Sequence, residues 1–279
     1  VENENEIRYD LEKAIFLARS GRPGPVWLEI PLDVQGSEIN PQRLKSFIPP
    51  KFTKEPDDVL VEKAVKLLEK SKRPLLIAGN GIRLAGGEEI LWKFLKRTQM
   101  KVVTPIFTAD DLVTYEYPGY LGRQGMPGNE TANEAVDNCD LLLIIGERMQ
   151  LTQVTYDYQN FASQAIKIMV DIDPGELSKK TLKIDLPIKA DAKAFLEKLY
   201  QRHPKVTRWP VKVKPIKAND YSGNKNYLNI YKFWEKLGGL ISGLPVATAN
   251  GMVSLTSHQA LKINRGQRFI TNAGLGQMG

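Results

Sequence analysis

The stretch from residue 73 to residue 97, RPLLIAGNGIRLAGGEEILWKFLKR, constrains the fold more than any other. An apolar run at residues 75–78 is followed by glycines at 79, 81, 86 and 87, then by Leu91, Phe94, Leu95 and Thr98 at helical spacing. A short apolar run, a glycine turn and a 3.6-residue period spell strand, tight turn and amphipathic helix, the opening of a parallel sheet. Glu88 and Glu89 fall in the first turn of that helix and Lys96 and Arg97 in its last, as the helix dipole prefers. Further apolar runs at 141–146 and 166–173 are each separated from the last by helix-length sequence. The middle of the chain is therefore predicted to be an α/β domain with a doubly wound parallel sheet.

The 279 residues suffice for one large or two ordinary domains, and 42% hydrophobic content can fill a core. No apolar run approaches the roughly 20 residues that span a bilayer, and no signal peptide opens the chain. With the single cysteine, Cys139, this excludes an internal disulfide and a cysteine-type metal site and points to a reducing cytoplasm. The net charge of +7 is concentrated in residues 198–217, KLYQRHPKVTRWPVKVKPIK. That stretch reads either as a phosphate-binding arm or as a solvated linker. Its prolines and lack of periodicity favour the linker, so neither nucleic acid nor membrane is an expected partner.

Residues 8–20 carry Leu11, Ala14, Ile15 and Ala18 on one helical stripe, and residues 26–30, VWLEI, read as a strand. One helix and one strand bury no core alone. Residues 35–55 are polar and proline-bearing. Asp57 and Asp58 open a helix that leads into the strand at 75, and strands follow at 101–105, 141–146, 166–173 and 186–190. Residues 116–129 read as an irregular, glycine-marked segment. Beyond the basic linker come a helix at 227–241, a strand at 245–248, the segment 250–261 and a strand at 269–271.

Few residues suggest chemistry by themselves. Gly79-Asn80-Gly81 lies where backbone N–H groups approach a phosphate, but a dinucleotide fingerprint needs a glycine at 84, which is Leu84. Asp171 and Asp173 end a strand; Asp173-Pro174 suits a helix cap, whereas Asp171 is placed to accept from a ribose. His203 and His258 are the only histidines and support no catalytic triad. No catalytic residue and no metal ligand is assigned.

Taken together, three stretches resemble thiamine-diphosphate enzymes of the acetolactate (acetohydroxyacid) synthase and pyruvate decarboxylase group, closest to acetolactate synthase large subunits. GRPGPVWLEIPLDVQ at 21–35 is similar to the end of that family's pyrimidine-binding domain. PLLIAGNGI, ANEAVDNCDLLLIIGERM, VDIDPGELSKK and ADAKAFLEKL resemble its central, Rossmann-like domain. FITNAGLGQMG at 269–279 is similar to the start of its diphosphate-binding domain. The resemblance implies five parts: 1–34 from the pyrimidine-binding domain, 35–55 a linker, 56–202 the central domain, 203–224 the basic linker, and 225–279 from the diphosphate-binding domain.

It also implies a 2-oxoacid decarboxylase and carboligase using thiamine diphosphate and Mg²⁺, assembled as a homodimer or homotetramer. The family's catalytic glutamate and metal motif would lie outside residues 1–279, so the fragment alone is expected to be inactive. Gly251, Met252, Gly276 and Met278 match thiamine diphosphate contacts. Gly79, Asn80, Gly81, Gly125 and Arg148 match contacts that acetolactate synthases make to FAD. Three departures weigh against FAD and leave an empty or ADP-type site: GERMQLT replaces GARFDDR, Arg123-Gln124 replaces a methionine-histidine pair, and residues are inserted after Gly125.

Overall fold

The computed structural model describes residues 1–50, 55–107, 111–214, 226–272 and 276. It divides into two compact units, Val1–Lys54 and Glu55–Gly279.

In the first unit, helix α1 (Ile7–Arg19) precedes an extended segment and the short helix α2 (Leu32–Gln35). Phe47 packs against Tyr9 and Phe16 of α1 at ring-centroid distances of 5.5 and 5.4 Å, and its N–H donates to Glu12 at 2.8 Å. The strand expected at 26–30 does not form: these residues are extended but pair with no strand among the described residues. Alternating apolar residues need a neighbouring ladder to become a strand. Without one, Trp27 is left 89% exposed.

The second unit is built on a six-stranded parallel sheet. Its strands are β1 (Pro74–Ala78), β2 (Lys101–Pro105), β3 (Tyr120–Gln124), β4 (Leu141–Ile145), β5 (Ile166–Asp171) and β6 (Leu186–Lys189). They lie in the order β3-β2-β1-β4-β5-β6, the doubly wound arrangement, with its switch point between β1 and β4. Leu75 faces Leu142 and Ile77 faces Ile144 across that central pair. β3 falls inside the segment expected to be irregular. Its sequence, YLGRQ, lacks the continuous apolar run of the inner strands because it lies at the sheet edge.

The helices of this unit are α3 (Asp58–Lys70), α4 (Gly81–Leu84), α5 (Glu88–Thr98), α6 (Glu130–Asn138), α7 (Leu151–Val154), α8 (Pro174–Leu177) and α9 (Ala192–Gln201). Alternate strand residues feed two cores. Leu76, Val102, Leu143 and Ile168 pack with Val61, Leu68, Phe94 and Phe195 of α3, α5 and α9. Leu75, Ile77, Val103, Leu142 and Met169 pack with Ala132, Ala135 and Val136 of α6. This period-2 division, with each half covered by 3.6-period stripes, produces the three-layer α/β/α domain. The described part of the basic stretch lies along this domain rather than free in solvent. Trp209 donates to the Pro74 carbonyl at 3.0 Å, and Lys214 pairs with Glu130 and Glu134 at 2.9 and 2.6 Å.

A smaller layer follows, made of α10 (Ile230–Leu240), β7 (Val246–Thr248), α11 (Met252–Ala260) and β8 (Phe269–Thr271). β7 and β8 pair in parallel, and Trp234, Leu261, Ile263 and Phe269 form a core of their own.

Candidate functional site

In an open α/β sheet, ligands bind outside the carboxyl ends of the strands at the switch point. Gly79, Asn80 and Gly81 follow β1 there, Gly125 follows β3, Arg148 lies just beyond β4, and Asp171 ends β5. The turns after β1 and β4 pass in direct backbone contact. The Gly79 N–H donates to the Ile145 carbonyl at 2.9 Å and the Gly81 N–H to the Gly146 carbonyl at 2.8 Å. A Cβ on Gly79 would lie 2.2 Å from the Gly146 oxygen, and one on Gly81 2.7 Å from the Gly146 Cα. These two glycines are thus required by the crossing of the chain itself.

The remaining groups on this edge also have partners. Asn80 Oδ1 accepts from Arg83 at 2.8 Å, and the Gly125 N–H donates to Asn133 Oδ1 at 2.9 Å. The Arg148 guanidinium donates to Glu176 at 2.9 Å. Burial alone would raise the Glu176 carboxyl, but hydrogen bonds from Lys179 and Arg148 outweigh it and hold the group below the ordinary range. Asp171 accepts the Asp173 N–H at 2.9 Å, and Asp173 caps α8 by accepting from Gly175 at 2.8 Å. Three neighbouring side chains hold buried polar atoms without a partner in the structure: Gln124 Oε1, Thr152 Oγ1, and both amide atoms of Gln153. Sequence patterning gave no signal for them, since an unmet hydrogen bond exists only in three dimensions.

At the carboxyl ends of β7 and β8 a second cradle forms. Gly251 (φ 99°) precedes α11, and Gly276 has φ 67°. Nothing lies within 4 Å of a Cβ built on Gly251, so it is the left-handed backbone rather than crowding that selects glycine there. The Asn250 side chain donates to the Gly276 carbonyl at 3.2 Å, joining the two segments. Met252 is exposed; Met278 lies outside the described residues. His258 is buried, with its ring 4.3 Å from that of Phe269 and 4.9 Å from that of Phe107 (centroid distances) and Nδ1 2.7 Å from the Ser254 carbonyl.

Residues 61–199, the span of this parallel-sheet domain, match the family model described as thiamine pyrophosphate enzyme, central domain. The chain belongs to the thiamine pyrophosphate enzymes. It is similar to the probable acetolactate synthase large subunit of Methanocaldococcus jannaschii, 29% identical over 306 residues that cover 100% of this chain and 50% of the relative. The acetolactate synthase isozyme 2 large subunit of Escherichia coli is 31% identical over 293 residues, again 100% of this chain and 50% of the relative. The acetolactate synthase large subunit of Corynebacterium glutamicum is 35% identical over 209 residues, 72% of this chain and 32% of the relative. The chain thus spans about half the length of the curated relatives it matches end to end.

For a thiamine pyrophosphate enzyme, the two carboxyl edges offer different donor sets. The described part of the β7–β8 edge offers donors and an acceptor of the kind a phosphate and an amine use. The helix N-terminus at α11 presents unsatisfied backbone N–H groups suited to a phosphate, and the Gly276 carbonyl, with a second lone pair beyond the Asn250 bond, can still accept an amine. The β1–β4 edge offers the diphosphate of FAD or ADP fewer backbone donors: the N–H groups of Gly79, Gly81 and Gly125 bond within the chain, while Arg148 gives Nε to Glu176 and keeps its side chain 49% exposed. Among the described residues, Asn250 is a cradle residue that sequence patterning passed over. Its place between β7 and Gly251 was the available signal.

Proposed function

We propose that this chain is the middle section of a thiamine-diphosphate-dependent 2-oxoacid decarboxylase and carboligase of the acetolactate synthase type, acting on a substrate such as pyruvate. The observation that carries this reading is the end-to-end similarity to acetolactate synthase large subunits, which runs through both Gly251 and Gly276. In this reading residues 1–34 belong to the pyrimidine-binding domain, 56–202 are the central domain and 225–279 open the diphosphate-binding domain.

When bound, thiamine diphosphate would supply an electron sink for the charge left when a 2-oxoacid loses CO₂. The N-terminus of α11, led by Gly251 and Met252, receives the diphosphate. The Gly276 carbonyl would hold the aminopyrimidine amine, and Met278 matches by resemblance the family's apolar wedge. Gly251 and Gly276 serve because only glycine holds a positive φ without strain beside a ligand. The general base and the Mg²⁺ ligands are assigned to the rest of the enzyme, so residues 1–279 alone are inactive, and the working protein is a cytoplasmic homo-oligomer. FAD has no role in this reading.

The test is conversion of pyruvate to 2-acetolactate by the full-length protein supplied with thiamine diphosphate and Mg²⁺, with the product measured directly. Product formation that depends on the cofactor supports the reading. Absence of product together with tight binding of ADP or FAD would replace it with a non-catalytic nucleotide-binding module.

A further inference from the structure

Arg123 stands on edge strand β3, yet it is only 3% exposed. Its guanidinium donates to the carbonyls of His258 at 2.7 Å and Leu261 at 3.3 Å. The first is among the last carbonyls of α11 and the second belongs to its C-cap residue, groups that no helical N–H satisfies. A fixed positive charge there also complements the negative end of the helix dipole. The same guanidinium carbon sits 5.5 Å from the centre of the Phe269 ring on β8. Asn129, just beyond β3, donates to the Gln259 carbonyl at 3.0 Å, and the Gln259 amide donates back to the Pro127 carbonyl at 3.0 Å.

The two structures this cation touches are the two that lead into the β7–β8 cradle. α11 carries Gly251 and Met252 at its amino end. Gly276 follows β8 in the chain, and Ser254 of α11 is bonded to Thr271 of β8 at 2.8 Å. We propose that Arg123 is a positioning residue for the thiamine cofactor, anchoring α11 and β8 to the central domain so that Gly251 and Gly276 are held in register at the opposite end. This rests on the reading of the cradle given above.

Geometry sets the sensitivity. α11 is nine residues long, about 13 Å at 1.5 Å per residue, so a tilt of about 5° at its carboxyl end moves its amino end by about 1 Å. A displacement of that size costs on the order of 100-fold in a positioned reaction.

The experiment uses the full-length protein and measures the Kd of thiamine diphosphate with Mg²⁺, and kcat at saturating cofactor, for wild type, Arg123→Met and Arg123→Lys. All are compared at a temperature where each is fully folded by circular dichroism. Arg123→Met is expected to weaken cofactor binding about 10- to 100-fold and to lower kcat even at saturation. Arg123→Lys, which keeps the charge but not the fork, should fall between. A residue that merely stabilises the fold would lower the melting temperature and leave both values unchanged. Should Arg123→Met not fold, Arg123→Lys carries the comparison alone. Wild-type Kd and kcat in the folded variants, with wild type binding the cofactor, overturns the positioning role. If wild type itself binds no thiamine diphosphate, the cradle reading fails, and the inference with it.

Discussion

Gly79 and Gly86 are both glycines of the first strand–helix turn, yet the structure gives them different reasons to be glycine. A methyl group added at Gly79 would meet the Gly146 carbonyl oxygen at 2.2 Å, a backbone atom that cannot rotate away. Relief requires the turns after β1 and β4 to separate, which strains or breaks the two hydrogen bonds from Gly79 and Gly81 at 2.9 and 2.8 Å. Overpacking against rigid surroundings costs about 3 kcal/mol and each lost bond about 1 kcal/mol, so Gly79→Ala should cost about 3–5 kcal/mol. Gly86 has φ +66° with nothing within 4 Å of an added Cβ. Gly86→Ala therefore faces only the left-handed penalty of about 1 kcal/mol. In thermal unfolding followed by circular dichroism, a unit of this size loses about 2–4 °C per kcal/mol. Gly79→Ala should fall by about 6–20 °C and Gly86→Ala by about 2–4 °C. Equal shifts, or a larger loss at Gly86, would refute the claim that backbone crossing at the switch point selects Gly79.

Asp140 accepts hydrogen bonds from Ser71 and from the N–H groups of Lys72 and Arg73, both at 2.9 Å, tying α6 and β4 to the start of β1. Burial would raise its carboxyl, but the Ser71, Arg73 and Lys72 bonds prevail and hold it below the usual range. A depressed folded-state value means the stabilisation is complete above the unfolded value of about 3.9 and is lost as pH falls through the folded one. Asp140→Ala should cost about 2 kcal/mol at pH 7, with the gap to wild type narrowing as pH falls below about 4 in urea titrations; a gap that stays constant or widens on acidification would count against it. Cys139 is fully buried, and burial, with the charge of Asp140 adding to it, pushes its thiol up to about 12. Ellman's reagent at pH 8 should therefore label it only after denaturation, and rapid labelling of the folded chain would contradict that placement.

The parts of this protein legible in the sequence are those with local causes. The stripe Leu91, Phe94, Leu95 and Thr98 is buried as its spacing requires. Asp57 and Asp173 cap helices through contacts only a few residues away. Where the cause is distant, local pattern misleads. VWLEI at 26–30 has strand composition but no neighbour to pair with among the described residues, whereas YLGRQ at 120–124 contains a glycine and an arginine and is still a strand, because β2 supplies its ladder.

The sequence alone determined the α/β class, the positions of the inner strands and most helices, and the resemblance to thiamine-diphosphate enzymes, since periodicity, capping and motif order are all carried within short segments. The tertiary structure alone decided the strand order about the β1–β4 switch, the commitment of Gly79, Gly81 and Arg148 to internal bonds, and the reach of Arg123 to α11. Each of these depends on atoms dozens of residues apart meeting in space, and the energy of such a meeting is written in no local stretch of the chain.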